Sequence, residues 1–121
     1  MRFMMLVKAD KNYEAGMPPS PKLMAAIGKL SEDHAKAGIL LDAGGLLPSS
    51  HGARIRVGGN QLTVIDGPFA ETKELVGGYA ILKANSRAEA IELGRQFMKV
   101  HADVLGPSYE GELEVRPMHD M

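Results

Sequence analysis

The chain has 121 residues and a mass of 13.0 kDa, which is one domain's worth, with about 6,300 Å² of folded surface expected from that size. Its 14 basic and 15 acidic side chains leave a formal net charge of -1. Without a basic excess or stripe, nucleic acid is excluded as the main ligand. There is no cysteine, which excludes disulfides, a thiol nucleophile and thiolate metal sites. Apolar runs such as residues 3–7 fall far short of the ~20 residues that span a bilayer. The N-terminal run meets Lys8 and Asp10 too soon for a signal peptide, so a cytoplasmic protein with no membrane partner is expected.

Residues 1–121 read as a single domain. Met1–Lys8 is short and apolar on both faces, the pattern of a buried strand. Asp10 to Pro19 is polar and carries Gly16, Pro18 and Pro19, so a loop is expected. Ser20-Pro21 starts a helix, because serine accepts from the first unpaired N–H groups and proline suits the first helical position. Leu23, Ile27, Leu30 and His34 follow at helical spacing, and Gly38 stops the helix. Ile39-Leu40-Leu41 opens a second strand running toward Gly44-Gly45. Ala53–Val57 and Gln61–Ile65 alternate polar with apolar around Gly58-Gly59-Asn60, which predicts a hairpin. Asp66-Gly67-Pro68-Phe69 breaks its second arm, residues 70–75 form a charged connector, and Gly77–Ala84 is a further apolar strand. Ser86 and Glu89 have capping-box spacing. The helix behind them presents Ala90, Ile91, Gly94, Phe97 and Met98 to one side, with Gly94 expected to pack closely on the sheet. His101 to Gly111 reads as irregular, and Glu112–Arg116 as a last strand.

With the hairpin set aside, this order is β-α-β-β-α-β, the ferredoxin-like α+β pattern with an inserted β-hairpin. Two helices cover one face of such a sheet. The other face keeps apolar residues, and an uncovered apolar face marks an interface. A homodimer with its sheets face to face, a dimeric α+β barrel, is expected.

The run Asp66-Gly67-Pro68-Phe69-Ala70-Glu71-Thr72-Lys73-Glu74 resembles the one that names the DGPF (DGPFAETKE) family of the YCII-related superfamily. Ala37–Leu41, Gly45–Ser49, Gly77-Gly78-Tyr79 and Glu114–Pro117 extend the likeness over nearly the whole chain. The resemblance implies a ferredoxin-like subunit and a homodimer, and in some relatives an association with sigma factors of the extracytoplasmic-function type. It implies no settled activity. The wider group is thought to use an Asp just after the first strand and a His in the first helix. Asp10 matches the former. Ile27 stands near the place of the latter, and His34 lies about two turns further on.

Several side chains are candidates for chemistry. Asp66, Phe69, Glu71 and Lys73 could line a cleft and contact a polar ligand. Equally, Asp-Gly-Pro is turn chemistry in which Asp66 bonds nearby backbone N–H groups and Phe69 plugs the core. Asp10, His34 and Asp66 are the candidates for proton transfer, against a reading of His34 as a packed residue bonded to a backbone carbonyl. Arg116 on the last strand would need a carboxylate if buried, with Asp66 and Asp10 as candidates. Arg54 and Arg56 share a face of the hairpin, either as a solvated face or as a carboxylate clamp. Four dispersed histidines give no metal-ligand spacing and the glycines no phosphate-binding motif, so no metal or cofactor is expected. Two functions follow. One is a small-ligand-binding or regulatory module, and the other a small cofactor-independent enzyme using His/Asp acid–base chemistry between the sheet face and the Asp66–Glu74 loop.

Overall fold

The computed structural model describes residues 1–70 and 74–119. Its first strand, β1 (Arg2–Lys8), is central in a four-stranded sheet. The remaining elements are α1 (Lys11–Glu14), α2 (Pro21–Lys36), β2 (Leu40–Gly45), β3 (Ala53–Gly58), β4 (Gln61–Asp66), β5 (Val76–Lys83), α3 (Arg87–Leu105) and β6 (Leu113–Pro117). A 3-10 turn covers Ser49–His51. The sheet runs in the order β2-β5-β1-β6, with every neighbouring pair antiparallel. This is an α+β architecture whose strand order suits a ferredoxin-like fold. Among the described residues β3 and β4 pair only with each other.

Local chemistry explains the elements. Ser20 Oγ accepts from the Leu23 N–H at 3.4 Å and Pro21 opens α2. Ser86 Oγ accepts from the Glu89 N–H at 3.1 Å. The reciprocal half of that box is replaced, because the Glu89 carboxylate takes the Asn85 side-chain amide instead. In the β3–β4 turn Gly59 and Asn60 have φ of 54° and 64°, the left-handed pair that a type I′ hairpin requires.

The core joins one face of the sheet to the helices. Phe3, Met5, Leu82, Ala84, Ala90 and Leu93 form it, with Ile39, Leu40, Ala80, Leu113 and Val115 packed around them. A Cβ on Gly94 would stand 3.2 Å from Leu113 Cδ2 and 3.3 Å from Val115 Cγ2, so α3 sits close on the sheet at that residue. On the opposite face Met4 lies across from Ile81 and Leu6 from Tyr79, all four half-buried.

Two elements differ from the sequence reading. Residues 11–14, expected as loop, form the short helix α1. α3 continues through His101 to Leu105 and stops at Gly106, whose φ is 87°. His101 belongs to the helix stripe that includes Gly94 and Phe97, which is why the helix does not end where its polarity rises.

Candidate functional site

The side chains around α1 tie together three segments distant in sequence. Asp10 caps the helix, its Oδ1 accepting from the Tyr13 N–H at 2.7 Å. Tyr13 donates its hydroxyl to the Gly77 carbonyl at 3.0 Å. Glu14 binds Ser49 twice. Its Oε1 accepts from the Ser49 N–H at 2.9 Å and its Oε2 from the Ser49 hydroxyl at 2.6 Å. Ser49 Oγ in turn accepts from the Phe69 N–H at 3.1 Å. A carboxylate, a hydroxyl and a backbone amide thus form a chain that fixes the Asp66–Phe69 segment against α1. Gly67 lies directly over the Ser49 carbonyl, where any Cβ would collide with that oxygen, and its N–H donates to the Gly52 carbonyl at 2.9 Å.

On the other side of Asp10 lie two adjoining clefts. The larger, about 570 Å³, is lined by Asp10, Lys11, Asn12, Leu105, Ser108, Tyr109 and Glu110. The smaller, about 270 Å³, shares Asp10 and Glu110 and adds Lys8, Ala9, Gly111 and Glu112. Asp10 and Glu110 therefore face both spaces. Tyr109 is held from behind. Its ring stacks on His101 with centroids 5.8 Å apart, and its hydroxyl occupies the space that a side chain at residue 111 would fill, which only Gly111 leaves open. His101 is buried, donates Nδ1–H to the Phe97 carbonyl at 2.9 Å and touches the Phe97 ring. Burial, and then the charge of Asp10, push the Tyr109 hydroxyl above its ordinary 10.0, so at neutral pH it keeps its proton and is a hydrogen-bond donor. The second oxygen of Asp10 has no protein hydrogen bond among the described residues.

The candidates read from the sequence do not converge on one place. Asp10 lines the clefts. His34 is half-buried on α2 and lines neither of these clefts; its side chain makes no hydrogen bond among the described residues, while its carbonyl accepts from the Ile39 N–H at 2.8 Å. Asp66 ends β4 exposed, and its carboxylate makes no hydrogen bond among the described residues, so the turn is anchored by Ser49 and not by Asp66. Phe69 is half-buried and outside the core; its ring lies beneath the Arg54 guanidinium, 3.9 Å from the centroid. Glu71 and Lys73 lie outside the described residues. Arg116 is exposed rather than buried, and its partner is neither Asp66 nor Asp10 but Glu114, two residues away on the same strand face. Its Nε donates to Glu114 Oε2 at 2.7 Å and its Nη2 touches the same oxygen. The Arg116 hydrogen bonds, with Lys8 adding to them, hold the Glu114 carboxyl below its ordinary 4.5. Among the described residues no group of three or more His, Asp or Glu is placed to hold a metal ion, and no helix is long and apolar enough to cross a membrane.

Tyr109 and Glu14 were not singled out from the sequence, and Ser49 drew notice only as part of the family-like Gly45–Ser49 segment, not as an anchor. The helical spacing of Gly94, Phe97 and His101, followed by Gly106-Pro107, is the signal that places Tyr109 just beyond a helix end. Nothing local announces the Glu14–Ser49 contact, because 35 residues separate the two.

These features define an α+β protein with an antiparallel sheet and an acidic, tyrosine-bearing cleft at the end of its first strand. The chain belongs to the YCII-related family, whose domain model matches residues 1–107. It is also similar to the uncharacterized protein R00369 of Rhizobium meliloti (strain 1021), with 29% identity over 97 residues, covering 80% of this chain and 73% of that one.

Proposed function

We propose that the protein is a homodimeric small-ligand-binding module of the DGPF type, with the hairpin inserted into a ferredoxin-like core and the open sheet faces of two copies packed as a dimeric α+β barrel. The observation that carries the ligand reading is the placement of Asp10 and Tyr109 on one cleft. A carboxylate and a protonated phenol line the same cleft, with Tyr109 buttressed by a buried histidine. A volume of about 570 Å³ is of the size that small-molecule sites have. Tyr109 and Leu105 offer apolar surface, whereas Asp10, Lys11, Asn12, Ser108 and Glu110 offer polar atoms, with two carboxylates against one ammonium. Because ionised carboxylates only accept hydrogen bonds, the complementary ligand is a small ring compound carrying hydroxyl or amino donors.

The dimer reading is supported by the half-buried apolar row Met4, Leu6, Tyr79 and Ile81 on the face away from the helices, and predicts a solution mass of about 26 kDa. The Asp66–Phe69 segment shapes the neighbourhood of α1 through Ser49 rather than supplying the acceptor itself.

One observation favours a second reading, acid–base catalysis in the same cleft. Asp10 has an oxygen available to take a proton from a bound hydroxyl, and Tyr109 has one to give. His34 has no part in that scheme.

The ligand reading is tested by thermal shift with catechol and benzylamine as probes and benzoate as the contrasting anion. At about ten times its Kd a bound probe stabilises by about 1.4 kcal/mol, or several degrees. Stabilisation by the two donors, absent with benzoate and abolished in Asp10→Ala, is expected. Equal shifts by all three, or shifts that persist in Asp10→Ala, would overturn it.

A further inference from the structure

The β3–β4 hairpin has a face that one chain leaves unused. Ile55 is paired directly with Val64, and Val57 with Leu62, so these four side chains share one face of the ribbon. They are 72%, 64%, 71% and 75% exposed. The other face carries Arg54, Arg56, Thr63 and Ile65. A two-stranded ribbon in water is marginal unless an apolar face is packed, yet here the apolar side is the bare one.

The whole chain exposes 8488 Å², about 2,000 Å² more than a 13.0 kDa monomer is expected to show. That excess exceeds the roughly 800 Å² per partner of an ordinary interface. The same chain offers matching apolar surface, namely the open row Met4, Leu6, Tyr79 and Ile81 and the exposed Leu41, Leu46 and Leu47. With a net charge of -1, two copies meet with little repulsion.

We infer that the hairpin is an intermolecular arm, and that Ile55, Val57, Leu62 and Val64 are buried against a second copy of this chain. This rests on the dimer proposed above and adds to it, since face-to-face sheets alone would leave the ribbon bare. Two-fold symmetry makes the contact reciprocal, each copy giving one arm and receiving one.

The absence of cysteine makes the test direct. Val57→Cys on the apolar face and Thr63→Cys on the opposite face are labelled with a thiol reagent at a concentration where the parent sediments as a dimer. Val57→Cys is expected to react at least about tenfold more slowly than Thr63→Cys, with the difference vanishing on dilution to monomer. Independently, Ile55→Asp with Val64→Asp is expected to weaken the dimer by about a hundredfold or more, because carboxylates cannot be buried there unpaired. Thr63→Asp is the control that leaves it intact. Circular dichroism shows whether the four-stranded core survives. Equal labelling of the two cysteines in a dimeric protein, or an aspartate pair that leaves the dimer unweakened, overturns the arm while the sheet-face dimer stands. Leu6→Glu then dissociates it. A parent that sediments as a monomer overturns both.

Discussion

Replacing Ser49 by alanine should destabilise the protein more than any change at the exposed Asp66, although Asp66 begins the segment with the stronger sequence signature. The hydroxyl removed makes two bonds, one to the Glu14 carboxylate at 2.6 Å and one from the Phe69 N–H at 3.1 Å. A hydrogen bond to a charged group is worth about 1.5–3 kcal/mol and a neutral one about 0.5–1.5 kcal/mol. Both are only partly buried here, which places each near 1 kcal/mol at the lower end, for a total of about 2 kcal/mol. Glu14 keeps its bond to the Ser49 N–H at 2.9 Å, so the loss stops there. Unfolding entropy at this chain length converts 1 kcal/mol into about 4 °C, so Tm should fall by about 8 °C. Asp66→Ala removes no hydrogen bond made among the described residues, from an exposed position, and should cost no more than about 0.5 kcal/mol, or about 2 °C. The assay is thermal unfolding followed by circular dichroism on both variants. A Glu14→Ala/Ser49→Ala cycle should give a coupling of about 1 kcal/mol. If Ser49→Ala melts within about 2 °C of the parent, or Asp66→Ala proves the more damaging, the Glu14–Ser49–Phe69 chain is not what holds this segment.

Other outcomes follow from the packing and titration at named residues. Gly94→Val pushes two more methyl groups toward Leu113 and Val115, which already stand 3.2 and 3.3 Å from an added Cβ; a loss of about 2–3 kcal/mol in urea unfolding is expected, and an unchanged midpoint would contradict the close approach of α3. The folded Tyr109 hydroxyl titrates above its ordinary 10.0, so its contribution is full below that pH and is lost as pH rises through the folded value. Between about pH 9 and pH 11 the parent should lose stability more steeply than Tyr109→Phe, and parallel curves would argue against burial of the phenol. Arg116→Gln removes the main cause of the depressed Glu114 value. A carboxyl NMR titration should then find Glu114 moved up toward 4.5, and no movement would mean that Arg116 does not engage it in solution.

Much of the fold was legible because its elements carry local signals. Ser20-Pro21 and Ser86 mark helix starts by capping chemistry, and alternation with a glycine-rich turn marks the hairpin. The sequence also carried the tightness at Gly94, through a glycine placed mid-helix where propensity disfavours it. What stayed illegible depends on distant partners. α1 has four polar residues and no apolar period, and it is held by Tyr13 on Gly77 and Glu14 on Ser49, contacts across 64 and 35 residues. Asp66 and Phe69 attracted attention because their segment is distinctive, but the structure places its anchoring in Ser49 and its aromatic ring beneath Arg54. Arg116 was read as needing a carboxylate such as Asp66 or Asp10 if buried, whereas its side chain is exposed in the single chain and pairs with Glu114 on the sheet face that also carries Met4 and Leu6. Asp10 is the candidate that sequence and geometry both bring to the cleft, and Tyr109 joined it only through the length of α3.

The claim on which the functional account depends is that this cleft binds a small donor-bearing ring. Backbone amide chemical-shift mapping during titration with catechol tests it most directly. The account predicts saturable shifts concentrated at residues 10–12 and 108–110, and their loss in Asp10→Ala with the rest of the spectrum preserved. Shifts centred on α2 around His34, or no saturable shifts with either catechol or benzylamine, would contradict it.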